Sequence, residues 1–398
     1  MPEADGSSRA QIALLFATRA LRMFAYGLIS VVLVLHLSAA GIPQAGIGLL
    51  LTLTLLGDTG ISLLLTTRAD RWGRRRILVA GAGLMVLAAL AFATTRSFLL
   101  LLLGATVGVL SPSGNEVGPF LAVEQAALSQ EIPPVRRTAA FAWYQLTGSL
   151  ASAAGSLCGG TLVEALERAG LTALESYRGV PLRTAWPASP SRPSSCACRR
   201  KWRLPSRGVV FRLSALFGVD AFAGGLVVQS YLAFWFHQRF GASPAALGAI
   251  FVGDNVLAGV SALYAAAIAR RIGLVNTMVA THLPSSVLLA LVPLMPTLGL
   301  AIGVLLLRFS ISQMDVPTRQ SYTMAVVEPD ERSAAAGVTG TVRTVGAALA
   351  PLLAGPLYAT AALSSLPFLL AGGLKAAYDL ALWRRFRTIL PPEERPVA

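Results

Sequence analysis

The chain has 398 residues, 55% of them hydrophobic and only 13% charged. Soluble globular chains carry roughly 25% charged residues, so this one lacks the charge to clothe a solvated surface and is expected to span a membrane many times. The formal net charge of +14 is almost all Arg, since Lys occurs only at 201 and 375. These cations gather between apolar segments instead of forming one stripe with interleaved aromatics; that is the pattern of membrane topology, and no nucleic-acid partner is expected. Three Cys without a CxxC or a ligand-spaced His argue against a metal centre and against a disulfide framework.

The polar stretch Met1–Arg9 lacks the apolar core and small-residue cleavage site of a signal peptide. After it, apolar runs near the length a bilayer core demands of a helix predict crossings over about 12–35, 45–66, 77–95, 98–123, 138–163, 209–236, 245–269, 274–296, 299–326, 333–359 and 365–386. That makes eleven. Cytoplasmic loops collect Lys and Arg, which orients them. Five Arg between Arg68 and Arg76 place that loop and the N-terminus inside, and Arg136 and Arg137 agree. Helix five then ends outside, near Glu164 and Glu167, while Arg270, Arg271, Arg384, Arg385 and Arg387 require the helix starting at Gly208 to begin inside.

One crossing is therefore owed between about 165 and 208, where the sequence instead reads RGVPLRTAWPASPSRPSSCACRRKWRLPSR. Arg183 and Arg192 would each cost roughly 2.5–3.5 kcal/mol at a helix centre, and Pro187, Pro190 and Pro193 about 3 kcal/mol each in a helix interior. Three explanations compete: a cytoplasmic loop, which leaves the parity broken; an irregular crossing shielded by neighbouring helices; or a shift of reading frame in an Arg-rich, GC-rich gene. The third is favoured.

The chain also repeats itself weakly at an offset of about 196–200 residues: LLGDTG around Asp58 with FVGDNV around Asp254, RADRWG with IARRIG, PVRRTAA with PDERSAA, and NEV at 115–117 with MDV at 314–316. With a sixth helix restored this is six plus six, and parallel repeats about an axis along the membrane normal are the expected arrangement. The stretch TTRADRWGRRRIL resembles the loop between helices two and three of the major facilitator superfamily, Gly-x-x-x-Asp-Arg-x-Gly-Arg-Arg. Asp70, Arg71, Gly73, Arg74 and Arg75 match it, while Thr66 and Arg68 depart from it. Helix five carries GSLASAAGSLCGG, which resembles that superfamily's glycine-rich antiporter motif at Gly155, Gly159 and Gly160, with Ser156 where Pro is expected; small residues at helix contacts are the other reading.

The resemblance implies an all-α membrane protein of two six-helix bundles, 1–165 and 208–398, joined by the irregular segment 166–207. It implies alternating access about a central site, with the Asp70–Arg75 loop closing the cytoplasmic side. A multi-pass monomer of the bacterial cytoplasmic membrane is expected, needing no cofactor. Its partners would be a small-molecule substrate, protons and the lipid bilayer.

Ionisable residues inside a membrane are costly and are functional candidates by default. Arg19 and Arg22 lie one turn apart on helix one with Tyr26 continuing that face; Asp58 is deep in helix two, and Glu116 and Glu124 are in helix four. In the second half Asp220, Asp254, Asp315 and Arg319 occupy the equivalent helices. These groups are read as lining the inter-bundle cavity, either as buried ion pairs such as Arg19 or Arg22 with Glu116, or as working groups. In the second case Asp58, Asp220 or Asp254 carries protons, since desolvation favours a neutral carboxyl, and Arg19, Arg22 or Arg319 holds an anionic group.

His36, His237 and His282 have no ligand spacing and are expected at membrane interfaces. Gly114 and Pro119 in helix four, and Pro317 and Thr318 in helix ten, are candidate helix breaks or packing kinks. No P-loop, triad or metal cluster is present, so enzymatic chemistry is not expected. The leading expectation is proton-coupled efflux of a small organic molecule. Uptake or exchange of an organic anion is the alternative, and a non-transporting signalling or lipid-moving protein is the alternative of another class.

Overall fold

In hydrocarbon every backbone N–H and C=O must find its partner within the protein, so long apolar segments close their hydrogen bonds as helices. A computed structural model describes residues 6–72, 137–172, 207–327 and 332–389, with 83, 100, 101, 103 and 176 besides. Among the described residues every element is helical: α1 Gly6–Ala39, α2 Gln44–Trp72, α3 Arg137–Arg168, α4 Arg207–Gly225, α5 Gln229–Phe240, α6 Pro244–Ile272, α7 Leu274–Leu291 with a 3₁₀ turn Val292–Leu294, α8 Leu298–Ser312, α9 Asp315–Ala325, α10 Arg332–Tyr358 and α11 Leu366–Phe386. Seven segments among these residues are long and apolar enough to cross a membrane. The helix α11 carries Lys375 and Asp379 in its interior.

Several expected boundaries move. The predicted helix 209–236 is two helices, broken at Leu226–Val228, where the Leu226 and Val227 N–H groups reach back only three residues to Ala223 and Gly224. The predicted helix 299–326 breaks at Gln313–Met314, so Pro317 falls in the first turn of α9, where its missing N–H costs nothing. Each pair still reads as one crossing, Gly208–Phe240 and Leu298–Thr323. Arg68 to Trp72 belong to the last turns of α2, not to a loop. The predicted spans 77–95 and 98–123 and the segment 178–206 lie outside the described residues, apart from the few isolated positions named above.

The chain divides into two compact units, Met1–Arg199 with Gln229–Val252, and Arg200–Val228 with Gly253–Ala398. In the first, α1 packs along α3 and against α5. In the second, α4 lies along α10 and α11, while α7 packs on α8, α9 and α11. Both long pairs depend on glycine. A Cβ at Gly27 would strike the Ser152 carbonyl, and one at Gly155 the Phe24 carbonyl; in the second unit a Cβ at Gly225 would come to 2.5 Å from the Ala347 carbonyl, and one at Gly346 to 2.5 Å from that of Gly218. Gly27 and Gly225 are 198 positions apart (225 − 27), so one glycine of each close crossing repeats with the sequence.

Turns follow the same logic. Gly273, the counterpart of Gly73 in the repeated motif, joins α6 to α7 at φ 85°, a left-handed conformation that favours glycine. Thr297 caps α8 by accepting the Leu300 N–H at 3.4 Å.

Gly225→Val is expected to abolish monodisperse, folded protein in detergent, because the α4–α10 backbones cannot separate without losing their whole contact. Gly303→Ala, with nothing within 4 Å of the added methyl, should elute as the parent does and gain helix stability by up to about 1 kcal/mol. Size-exclusion profiles and thermal unfolding of the two variants check this.

Candidate functional site

The second unit buries a charge cluster built from five helices. At its centre is Asp220 on α4, whose side chain is 4% exposed. Lys375 Nζ on α11 donates to its Oδ1 at 2.6 Å, while Arg319 Nη1 on α9 and Arg343 Nη1 on α10 donate to its Oδ2 at 3.3 and 3.2 Å. Arg319 also donates to Asp315 Oδ2, one turn earlier on α9, at 2.7 Å. His282 on α7 lies between two carboxylates: its Nδ1 is 2.9 Å from Asp379 Oδ1 on α11, and its Nε2 is 3.5 Å from Asp220 Oδ1. Aromatic rings close the sides, with Phe217 under the Arg319 guanidinium at 5.6 Å and Tyr378 edge-on to the His282 ring at 5.8 Å.

The arithmetic of this cluster decides its character. Three carboxylates (Asp220, Asp315, Asp379) meet three cations (Arg319, Arg343, Lys375), so it is neutral when His282 is neutral. Burying charge in a low-dielectric interior is tolerable only with such compensation.

Asp254, midway along α6, is different. It is 2% exposed and neither carboxylate oxygen accepts a hydrogen bond. Arg308 on α8 acts on it electrostatically, and the buried Arg308 Nε has no acceptor either. Such a carboxylate carries an unmet desolvation cost unless a proton or an incoming cation neutralises it.

In the first unit Arg19 is 2% exposed, donates to Gln145 Oε1 on α3 at 2.8 Å and stacks over the Tyr144 ring at 4.2 Å. Gly148 makes the room, since a Cβ there would lie 2.6 Å from Arg19 Nε. Arg22 is half-buried and Tyr26 fully buried farther along α1. The glycines of the predicted antiporter pattern are at backbone crossings: Gly155 and Gly159 against Phe24 and Leu28, and Gly160 against the Pro244 carbonyl. Ser156, in the place of Pro, donates to the Gly27 carbonyl at 3.2 Å and accepts from Gln229 Nε2, also at 3.2 Å.

Of the residues predicted from sequence, Asp220, Asp315 and Arg319 are brought together. Asp254 and Arg19 are buried apart from that contact set. Asp58 lies within α2 and Asp70 and Arg71 in its last turn, but their side chains, like Gly73, Arg74, Arg75, Gly114, Glu116, Pro119 and Glu124 entirely, are outside the described residues. His282 corrects the expectation of an interfacial histidine: it is mid-helix and buried between two acids. His36 is also buried, near the end of α1. His237 sits near the end of α5 with Nδ1 2.9 Å from the Ala242 carbonyl. Arg343, Lys375, Asp379 and Arg308 were not anticipated. Lys375 and Asp379 did carry a signal, an opposite-charge pair four residues apart inside an apolar helix.

Replacing Asp220 by Asn leaves the three cations of the cluster short of a counter-ion. A destabilisation on the order of 3–5 kcal/mol is expected, with part of it recovered in Asp220→Asn/Lys375→Met. Thermal unfolding of the single and double variants measures it, and additivity of the two changes would count against the pairing.

The family model of the Major Facilitator Superfamily matches residues 15–351. An uncharacterized membrane protein of Saccharomyces cerevisiae, YJR124C, is 30% identical over 416 aligned positions that cover 93% of each chain. Among solved structures, a bacterial homolog of the human lysosomal transporter Spinster, inward-facing and occupied, superposes with a TM-score of 0.73 at 15% identity, covering 99% of this chain and 100% of that one. A D-xylose–proton symporter superposes with a TM-score of 0.71 at 14% identity, covering 96% and 98%. The chain belongs to the major facilitator superfamily and is a multi-pass membrane transporter, not an enzyme.

Proposed function

We propose that this transporter is secondary active and proton-coupled, moving a small organic molecule by alternating access, with Asp254 as the proton carrier. The observation that carries the reading is the burial of Asp254 at 2% exposure with no hydrogen bond to either oxygen. Asp220 is the weaker of the two candidates, because three cations already hold it. Asp58, the repeat partner of Asp254 in sequence, is the second candidate for the same role. The working halves are 1–165 and 208–398, joined by 166–207, and the Asp70–Arg75 motif closes the cytoplasmic side. The working unit is a monomer in lipid.

Efflux is the favoured direction, supported by the glycine pattern at Gly155, Gly159 and Gly160. Uptake or exchange of an organic anion is the second reading, favoured by the buried guanidinium of Arg19. We place the protein in a bacterial cytoplasmic membrane; the yeast relative favours a eukaryotic membrane as the second reading.

The test is Asp254→Asn in proteoliposomes, using a compound found by thermal-shift screening of metabolites and antibiotics. In the parent protein an imposed pH gradient should drive accumulation of that compound. In the variant, gradient-driven accumulation should fall to background while exchange down a substrate gradient persists. Undiminished gradient-driven transport by the variant rejects the assignment.

A further inference from the structure

We infer that Arg343 is the docking point for an anionic group of the substrate, a carboxylate by preference, and that the substrate reaches it in competition with Asp220. The inference rests on the transport reading above and names the substrate class. Within the charge cluster the side chains of Asp220, Asp315, Asp379, His282, Arg319 and Lys375 are all 9% exposed or less, whereas that of Arg343 is 31% exposed. The open face of the cluster is therefore cationic. A guanidinium facing lipid would be expensive, so its open side is the one we assign to a polar substrate.

Arg343 is also the member that can be withdrawn at least cost. Asp220 Oδ1 is held by Lys375 at 2.6 Å and Oδ2 by Arg319 at 3.3 Å, so Asp220 stays paired when the 3.2 Å bond from Arg343 is given up. A guanidinium has five N–H donors in a planar fork suited to binding both oxygens of a carboxylate. Only one nitrogen, Nη1, bonds to Asp220. Space exists beside it: one turn before Arg343 on α10, a Cβ added at Gly340 would meet nothing within 4 Å. An anion arriving there replaces one acceptor of Arg343 by another, so the guanidinium is never left without a counter-charge.

The experiment reads binding in the purified full-length protein without any proton gradient, so its outcome is independent of proton coupling. The probes are benzoate, glutarate and citrate, each against its neutral amide. At least one carboxylate should raise the thermal midpoint of the parent protein while its amide does not. Arg343→Gln should lose that shift, Arg343→Lys should keep part of it, and Gly340→Leu, which fills the open space without touching the charges, should lose it as well. The inference is overturned if no carboxylate stabilises the parent, or if Arg343→Gln, folded and monodisperse, is stabilised as the parent is.

Discussion

A charge taken out of water must meet an opposite charge, and much of the second unit follows from that requirement. Asp220 draws α9, α10 and α11 together through Arg319, Arg343 and Lys375, and His282 ties α7 to the same centre through Asp379. In hydrocarbon, apolar burial supplies little to choose one helix arrangement over another, since lipid tails are as apolar as leucine. Ion pairs and close backbone contact then specify which helices meet. The cluster marks where these helices converge, and its neutrality is what lets it lie there.

Glycine supplies the complementary constraint. Ion pairs set partners; glycine sets how near they come. Gly27 with Gly155 on the α1–α3 pair, and Gly225 with Gly346 on the α4–α10 pair, bring carbonyl groups to where a methyl would stand. The same repeat spacing places Gln145 and Arg343 at matching positions (343 − 145 = 198). The two have diverged in chemistry while keeping their place. In the first unit Gln145 accepts a hydrogen bond from Arg19 on α1; in the second Arg343 donates one to Asp220 on α4. The partners on the first helix of each unit are not equivalent, since the position matching Arg19 is Phe217 (19 + 198 = 217) and the one matching Asp220 is Arg22 (220 − 198 = 22).

The sequence made much of this legible because hydropathy and loop charge are local properties. The helices, the membrane class, the family and the acids Asp220, Asp254 and Asp315 could all be read from segments shorter than about 20 residues, the length of one crossing. The helix breaks at Leu226–Val228 and Gln313–Met314 were blurred because both halves of each broken helix stay apolar. What escaped is non-local. Lys375 meets Asp220 across 155 positions, Arg343 across 123, and His282 meets Asp379 across 97. A single histidine in an apolar helix has no spacing that reveals an acid on another helix, so His282 read as interfacial. Nor does local pattern reveal that Arg19 meets the Tyr144 ring and the Gln145 amide, more than 120 positions away, in room that Gly148 leaves.

These parts assemble into one physical account. A compensated cluster braces the second unit, one of its arginines is part-exposed, and one buried acid, Asp254, accepts no hydrogen bond. A transporter so built should move a proton whenever it moves its substrate. The most direct measurement is the pH change inside lightly buffered proteoliposomes of the parent protein when substrate is added without any imposed gradient. The account predicts a substrate-dependent proton flux that a protonophore dissipates. Substrate flux with no accompanying proton movement would contradict it.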